Sequence, residues 1–339
     1  MKDLRVALVG AGNVAPSHVL GWQQTEGAEP VAVCRRNAEK GQEFAEEYGL
    51  EFIADYEQLL QREDIDVVDI LLPSGLHAEF GMQAANAGKH VIVEKPIDVT
   101  LEKADALIRE CHSNKVTLGV ISQYRFMDGM QKMYEVLSAN KLGSLVQGDA
   151  YIKWYRPQAY YDSGAWRGTW KLDGGGPFMN QGIHFIDLLL SAMGPVKSVV
   201  AKTKTLAHDI EVEDIGVAMV EFANGGFGVI EASTAVFPGL PARLDIHGTR
   251  GTLSIEGDTL VFLQVEGEEA QTGSDVMASG ASDPTDIDVT PFVRQFTDIV
   301  EAIQAGRDPW VSGTEARKPL ELILAIYESA KTGKETVLS

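Results

Sequence analysis

The sequence predicts an α/β protein in two parts, a doubly wound parallel sheet followed by an α+β part whose sheet is mostly antiparallel. Two observations predict this fold class. Up to residue 122, short apolar strands alternate with helical segments and short turns, which is the pattern of βαβ units. From residue 123, one helix is followed by segments with a two-residue hydrophobic period. We therefore divide the chain into a first domain, 1–122, and a second domain, 123–339.

The composition is that of a globular protein and argues against two classes of partner. The chain has 339 residues, of which 45% are apolar, and a net charge of -20. This charge argues against binding to nucleic acid or to anionic membranes. No run approaches the roughly 20 apolar residues of a membrane helix, and the first residues do not resemble a signal peptide. The two cysteines, Cys34 and Cys111, lack metal-ligand spacing, so we expect a cytoplasmic protein with reduced thiols and no metal.

A glycine-rich turn follows the first predicted strand, residues 4–9. The sequence GAGNVA has the spacing G-x-G-x-x-A, which permits a tight turn and close approach of the backbone to a pyrophosphate. The helix that follows would present free N–H groups to the phosphates. A strand before the motif and a helix after it make the signal specific for a dinucleotide-binding Rossmann domain. The candidate cofactor contacts here are Gly10, Gly12, Asn13 and Val14.

The end of the second predicted strand bears on the choice of cofactor. An acidic residue at this position would bind the ribose hydroxyls of NAD, but the sequence continues with Arg35 and Arg36. Two guanidinium groups suit a 2′-phosphate, so we expect NADP rather than NAD. The alternative is that both arginines are solvated and the adenosine is held in another way.

The rest of the first domain repeats strand and helix. We predict helices over 38–48, 56–62, 77–87 and 101–113, and strands over 31–33, 67–72, 91–93 and 116–120. Ligands of such sheets lie beyond the carboxyl ends of the strands, so side chains at those ends are expected to surround one crevice. The candidate cofactor contacts at these ends are Leu72, Pro73, Ser74, His77, Glu94, Lys95 and Gln123.

Lys95 is a candidate catalytic residue because of its neighbours. It stands between Glu94 and Pro96, and a residue before proline is held extended, which fixes the direction of the lysine. In a partly dry cleft its proton affinity would fall, whereas the adjacent carboxylate acts in the opposite direction. The alternative is a surface lysine in a turn, the usual position of lysine.

The second domain reads as a helix, 126–140, followed by an antiparallel sheet and two closing helices, 293–305 and 314–332. Asn224 and Gly225 are typical of a hairpin turn. Residues 265–289 are acidic, rich in glycine and serine, and are expected to form a surface excursion. The predicted strands are 145–156, 196–205, 215–222, 226–233, 243–247, 252–256 and 259–262.

The segment DGGGPFMNQGIHFID, residues 173–187, predicts a helix that begins at Pro177, a residue suited to the first helical position. The helical period would place Asn180, His184 and Asp187 on one face, beside an apolar stripe that anchors the helix. Such a helix offers an amide, an imidazole and a carboxylate to a cleft. The alternative is a helix with a buried histidine whose hydrogen bonds are satisfied.

Several motifs together resemble the Gfo/Idh/MocA family of sugar and cyclitol oxidoreductases, over essentially the whole chain. They are GAGNVA (10–15), LLPSGLH (71–77), VEKP (93–96), QYRF (123–126), WR (166–167) and GGGPFMNQGIHFID (174–187). The resemblance implies a nucleotide-binding domain followed by a domain with a large open sheet. It also implies that Lys95 and His184 lie beside the reacting carbon, and that a cis bond often precedes Pro96. By the same resemblance, Trp166 and Arg167 line the nicotinamide end of the pocket.

The resemblance implies NAD(P)-dependent hydride transfer to or from a polyol or ketosugar. His184 is suited to proton exchange and Lys95 to stabilising a developing alkoxide. Many members carry aspartate where this chain has Asn180; an amide can orient a hydroxyl but cannot take its proton. Asp187 could orient the imidazole or bind a hydroxyl. The candidate sugar contacts on the sheet are Tyr151, Lys153 and Tyr155, for which ordinary packing is the alternative.

Two other functions remain open at this stage. The family includes glycosidases that keep a nicotinamide cofactor bound and oxidise the sugar only transiently, and non-catalytic members that bind the cofactor and regulate partners. A homo-oligomer, dimer or tetramer, is expected because an open sheet face needs cover.

Overall fold

The computed structural model describes residues 3–273 and 288–338. The chain forms two compact units, one of residues 1–123 with 287–317 and the other of residues 124–286 with 318–339. Among the described residues, no helix combines the length and apolar character needed to span a membrane.

The described residues contain ten α-helices, most of them close to the bounds expected from the sequence. They are α1 (Ala15–Gln23), α2 (Ala38–Tyr48), α3 (Tyr56–Leu60), α4 (His77–Asn86), α5 (Leu101–Asn114), α6 (Asp128–Ser138), α7 (Gln158–Asp162), α8 (Ile183–Met193), α9 (Thr290–Ala305) and α10 (Gly313–Thr332). Local chemistry sets several ends: the side chain of Asn37 accepts a hydrogen bond from the backbone N–H of Lys40 at the start of α2. Gly49 ends the same helix with φ of +71°, a conformation that glycine adopts without strain.

The first unit contains a six-stranded sheet in which every pairing of described strands is parallel. Its strands are β1 (Leu4–Val9), β2 (Ala28–Cys34), β3 (Glu51–Ile53), β4 (Val67–Ile70), β5 (His90–Val93) and β6 (Leu118–Val120). The spatial order is β3-β2-β1-β4-β5-β6, which confirms the doubly wound sheet and puts the reversal of strand order between β1 and β4. Ligands bind at such a switch point.

A late helix completes the core of the first unit. Phe292 and Phe296 of α9 are buried with Val6 and Trp22, and the rings of Trp22 and Phe296 stack with centroids 3.9 Å apart. The prediction placed this segment in the second domain. A single boundary in the sequence cannot describe a chain that passes through the second unit and then comes back to the first. The apolar face of α9 is instead buried in the first unit.

The second unit is built on a nine-stranded sheet. Its strands are β7 (Leu145–Lys153), β8 (Val196–Lys204), β9 (Ile215–Phe222), β10 (Phe227–Ser233), β11 (Arg243–Gly248), β12 (Gly251–Glu256), β13 (Thr259–Val265), β14 (Gln271–Thr272) and β15 (Thr336–Val337). The order is β14-β13-β12-β11-β7-β10-β9-β8-β15. Within this sheet, only the pairing of β7 with β10 is parallel among the described strands, so the mostly antiparallel sheet is confirmed.

The two faces of this sheet differ. A Cβ on Gly148 of β7 would meet Met193 and Leu189, so α8 packs on that face. The alternating residues of β9 and β10 on the opposite face include Met219 and Phe227, which are 53% and 56% exposed. One face is therefore covered by α8 and the other presents apolar side chains.

The predicted excursion, residues 265–289, begins as sheet. β13 runs to Val265 and β14 follows it, so the segment begins closer to the sheet than expected. Residues 274–287 of that prediction lie outside the described residues.

Candidate active site

The turn after β1 has the shape that the glycine spacing predicts. Gly10 has φ of +106°, and a Cβ there would lie 2.7 Å from the carbonyl oxygen of Leu71. Around Gly12, by contrast, no atom lies within 4 Å of the position a Cβ would take. α1 then begins with Pro16 in its first turn and, in the described part of the chain, no side chain caps it. The open space beside Gly12 fits the close approach of a dinucleotide pyrophosphate. At the helix start the N–H of Ala15 donates to the carbonyl oxygen of Gly12 at 3.2 Å and Pro16 has no N–H, so α1 offers fewer free N–H groups than expected.

Arg35 lies against this turn. Its Nη1 donates a hydrogen bond of 2.9 Å to the carbonyl oxygen of Ala11, and the side chain is half-buried. Arg36 is exposed. The first of the two predicted arginines is therefore anchored beside the glycine turn, whereas the second reaches into solvent.

The strand end 71–77 is tied to the next strand end by His77. Its Nδ1 lies 2.7 Å from the carbonyl oxygen of Pro96 and its Nε2 lies 2.8 Å from that of Leu72. Both ring nitrogens are thus engaged with the backbone, so His77 shapes the crevice. Of the other candidates in the first unit, Leu72 and Pro73 are half-buried and Ser74 and Gln123 are buried.

Lys95 follows β5 and is half-buried. The Lys95–Pro96 bond is cis, as the resemblance implied. The backbone N–H of Lys95 donates to Oε2 of Glu94 at 3.0 Å, and Oε1 of Glu94 lies 3.1 Å from Nε2 of His18. Glu94 therefore fixes the backbone just before the lysine and is itself held from α1.

His18, which the sequence prediction missed, is fully buried between two carboxylates. Its Nδ1 lies 2.7 Å from Oδ2 of Asp69, and the same oxygen accepts a bond of 2.8 Å from Nε1 of Trp22. Burial alone would lower the pKa of His18, but Asp69 and Glu94 outweigh it and raise that pKa to about 9. The imidazolium is a charged link between α1 and the strand ends.

His184 is the second residue of α8 and is 7% exposed. The ring of Tyr124 stacks on it with centroids 4.3 Å apart and an interplanar angle of 15°. Tyr124 in turn meets Phe185 edge to face at 5.7 Å. Stacking on Tyr124, which Phe185 supports in turn, restrains the plane of the imidazole. Tyr124 lies in QYRF, so this motif could have identified it.

The prediction that the helix begins at Pro177 is wrong. α8 begins at Ile183, and the preceding residues form turns closed by bonds from the N–H of Gly182 to Pro177 O (2.6 Å) and from the N–H of Asn180 to Gly176 O (2.9 Å). Asn180 therefore lies before the helix. Its Nδ2 donates to Oδ1 of the buried Asp173 at 2.7 Å, which orients the amide. The helical period misplaced Asn180 because the backbone hydrogen bonds of this turn have mixed spans and do not form the regular ladder of an α-helix.

Asp187 forms a buried ion pair that the spacing of residues did not predict. Its two oxygens accept bonds of 2.6 and 2.7 Å from the guanidinium of Arg125. The carboxylate is therefore charge-compensated within the unit. Arg125 also lies in QYRF, but sequence periodicity gives no sign of a pair 62 residues apart.

The WR pair lies in an aromatic cluster of the second unit. The guanidinium of Arg167 lies 4.3 Å from the ring centroid of Tyr160 and 4.6 Å from that of Trp166, and its Nη1 donates to the Tyr160 hydroxyl at 2.6 Å. These cation–π contacts and the hydrogen bond fix the position of the guanidinium beside the two rings.

Tyr151 and Lys153 lie on the sheet face opposite α8. The buried residues that alternate with them, Ala150 and Ile152, share the face that meets α8, whereas Lys153 pairs with Glu231 at 2.8 Å on the other face. Tyr155 lies beyond β7 and packs edge to face on Phe237. The structure therefore does not bring Tyr151 and Lys153 together with His184, because alternation along a strand fixes the face.

No group of three or more His, Cys, Asp or Glu side chains with the arrangement of a metal site occurs among the residues that the structure describes.

A parallel sheet in this order, with an open glycine turn at its switch point, defines a class: dinucleotide-binding oxidoreductases. Residues 4–122 match the family model "Oxidoreductase family, NAD-binding Rossmann fold", and residues 130–254 match "GFO/IDH/MocA C-terminal domain". The chain belongs to the Gfo/Idh/MocA family of oxidoreductases, and it is an NAD(P)-dependent enzyme of that class.

Full-length relatives agree with this assignment. The chain is 25% identical to D-apiose dehydrogenase of Paraburkholderia graminis, covering 100% of this chain and 90% of that protein. It is 26% identical to D-xylose 1-dehydrogenase (NADP(+)) 2 of Haloferax volcanii, covering 96% and 97%. The solved structure of the WlbA dehydrogenase of Bordetella pertussis, in complex with NADH and UDP-GlcNAcA, is 31% identical, covers 100% of this chain and 99% of that one, and has a TM-score of 0.88.

Proposed function

We propose that the enzyme moves a hydride between a nicotinamide cofactor and a secondary alcohol or ketone of a sugar, sugar derivative or cyclitol. The observation that supports this best is the match to named sugar dehydrogenases along nearly their whole length. The glycine turn, with its open space at Gly12, supports the cofactor part of the proposal.

The roles of Lys95 and His184 are part of the proposal. His184 exchanges the hydroxyl proton in this proposal, since an imidazole can both donate and accept a proton near neutral pH. Lys95 donates a hydrogen bond that stabilises developing alkoxide charge. The bound nicotinamide supplies the hydride chemistry.

Asn180 binds a substrate hydroxyl in this proposal. Its amide is oriented by Asp173 and can donate or accept a hydrogen bond, but it cannot act as a base. Asp187, paired with Arg125, stabilises α8 and thus supports His184. The cofactor contacts of Trp166 and Arg167 stay a prediction.

The cofactor is proposed to be NADP in preference to NAD. Arg35 supports this, because its guanidinium is anchored at the glycine turn and carries further N–H groups for a 2′-phosphate.

A turnover assay with both cofactors over a panel of aldoses, ketoses and cyclitols tests the function. With the best substrate, Lys95→Ala and His184→Ala should each lower kcat by about 10²- to 10⁴-fold, the usual worth of acid–base catalysis. Affinity for reduced cofactor, measured by fluorescence titration, should stay within a few-fold of the wild type.

Lys40→Ala and His112→Ala change exposed residues of the same types and serve as controls with unchanged turnover. Near-normal turnover in Lys95→Ala or His184→Ala would show that the assigned role is wrong. Absence of any turnover by the wild type across the panel would contradict the proposed function.

A further inference from the structure

A carboxylate supplied from outside the turn holds the segment that leads into α8. Oε2 of the buried Glu213 accepts a bond of 3.0 Å from the N–H of Gly176, and Oε1 accepts one of 3.3 Å from the N–H of Phe178. Oε1 also accepts a bond of 2.9 Å from the hydroxyl of Tyr327. Glu213 is only 3% exposed, so these three donors replace the water that a carboxylate would otherwise require.

The glycines of the turn are required by this contact. A Cβ on Gly175 would overlap the hydroxyl of Tyr327, and a Cβ on Gly176 would overlap the carbonyl oxygen of Glu213. The run of glycines in 174–176 therefore allows the backbone to reach the Glu213–Tyr327 pair.

The ionised form of Glu213 fits its surroundings. An ionised carboxylate only accepts, and all three of its hydrogen-bond partners are donors, whereas a neutral acid would add an O–H that faces donors. Burial raises the pKa of Glu213 to about 7, and the bonds from Tyr327, Gly176 and Phe178 act against that rise. Asp173 is a further charged group near this pair, and its charge helps to raise the pKa of Tyr327.

A short covalent and hydrogen-bonded path joins this carboxylate to His184. Gly176 accepts the bond from the N–H of Asn180, and Gly182 both bonds back to Pro177 and accepts the first helical bond, from the N–H of Ile186 at 2.9 Å. His184 follows two residues after Gly182. A shift of the turn therefore shifts the start of α8 and the imidazole.

On the basis of the function proposed above, we propose that Glu213 is a positioning residue for His184. Its carboxylate acts as a cap, supplied by a distant part of the chain, for the turn that precedes α8, and so holds the imidazole at the direction needed for proton exchange. Tyr327 supports this role, because its hydroxyl donates a hydrogen bond to the carboxylate of Glu213 and so holds it in place.

Glu213→Gln and Tyr327→Phe test this role. Glu213→Gln should lower kcat by about 10- to 100-fold, the usual effect of a small misplacement of a reacting group, while cofactor affinity is unchanged. Its melting temperature at pH 8 should be somewhat lower, because the side-chain NH2 of glutamine cannot accept the hydrogen bonds that the carboxylate takes from its donors. The variant should still be folded at the assay temperature, so a loss of kcat at unchanged cofactor affinity is not the behaviour of a residue needed only for folding. Tyr327→Phe should lower kcat less, because the two backbone donors remain.

A second measurement does not depend on turnover. The protein is labelled with ¹³C at histidine Cε1, and the NMR signal of His184 is assigned by its loss in His184→Gln. The chemical shift of this signal should change in Glu213→Gln. It should stay the same in Glu211→Gln, a control at an exposed position. Wild-type kcat together with an unshifted signal in Glu213→Gln would overturn the inference. If the wild type oxidises no sugar of the panel, the proposed function fails and the His184 signal alone decides this inference.

Discussion

Arg35 is a single side chain whose surroundings bear on cofactor choice. Its bond to the carbonyl of Ala11 places a permanent positive charge beside the glycine turn. A 2′-phosphate is the part of NADP that NAD lacks, so in our proposal the guanidinium of Arg35 favours NADP over NAD.

We therefore expect Arg35→Asp to reverse the cofactor preference. The ratio of kcat/KM for NADP to that for NAD should fall by about 10- to 100-fold or more, the worth of a charged hydrogen bond of about 1.5–3 kcal/mol. Steady-state kinetics with both cofactors measures it, and Arg109→Asp, an exposed arginine on α5, is the matched control. An unchanged ratio would mean that the end of β2 does not select the cofactor.

Individual site residues were predictable to different degrees. His184 and Lys95 stand in motifs whose residue types suggest their chemistry. The partners of Asn180 and Asp187 were not predictable, because Asp173 and Arg125 are brought to them by the fold and not by helical spacing.

α1 is fixed at the element scale by an ionic network, besides its packing on α9. His18 lies between Asp69 and Glu94, and Trp22 shares the Asp69 oxygen. The network joins the helix after the glycine turn to the residue before Lys95. The strand and helix pattern of the sequence shows both segments but not the link between them.

This network predicts a pH-dependent contribution to stability. The pKa of His18 is raised from 6.5 to about 9, so the folded state binds its proton more tightly than the unfolded state. The contribution is fully present below pH 6.5 and is lost as the pH rises through about 9.

His18→Gln should therefore lower the free energy of unfolding by about 3–5 kcal/mol at pH 6, the usual cost of breaking a buried ion pair. The deficit relative to wild type should shrink between pH 6.5 and pH 9, as followed by chemical denaturation. His112→Gln, at an exposed position, is the control. A deficit that is constant with pH would show that His18 is not charged in the folded protein.

At the scale of the whole molecule, the second sheet exposes apolar side chains on the face opposite α8. Val200 and Val229 flank Met219 on β8 and β10, so three apolar side chains form a row across neighbouring strands. Apolar side chains grouped on an exposed face are typical of interaction surfaces. We propose that a second copy of the chain covers it.

Met219→Asp should then convert the oligomer into monomers, because a charge on this face would have to be buried at the interface. Size-exclusion chromatography with light scattering measures the mass. Leu206→Asp, 69% exposed in a loop, should leave the mass unchanged. A monomeric wild type, or an oligomer that survives Met219→Asp, would contradict the proposed interface.

The sequence by itself determined the parallel sheet, the mostly antiparallel sheet, the glycine turn and the residue types at the candidate site, because hydrophobic period and turn chemistry are local. Only the tertiary structure decided that α9 returns to the first unit, that α8 begins at Ile183, and which partners Glu213, His18 and Arg125 contact. Those contacts join residues far apart in the chain. They form because charges and hydrogen-bond donors that become buried with the core must be paired. No local sequence pattern shows which residues will pair.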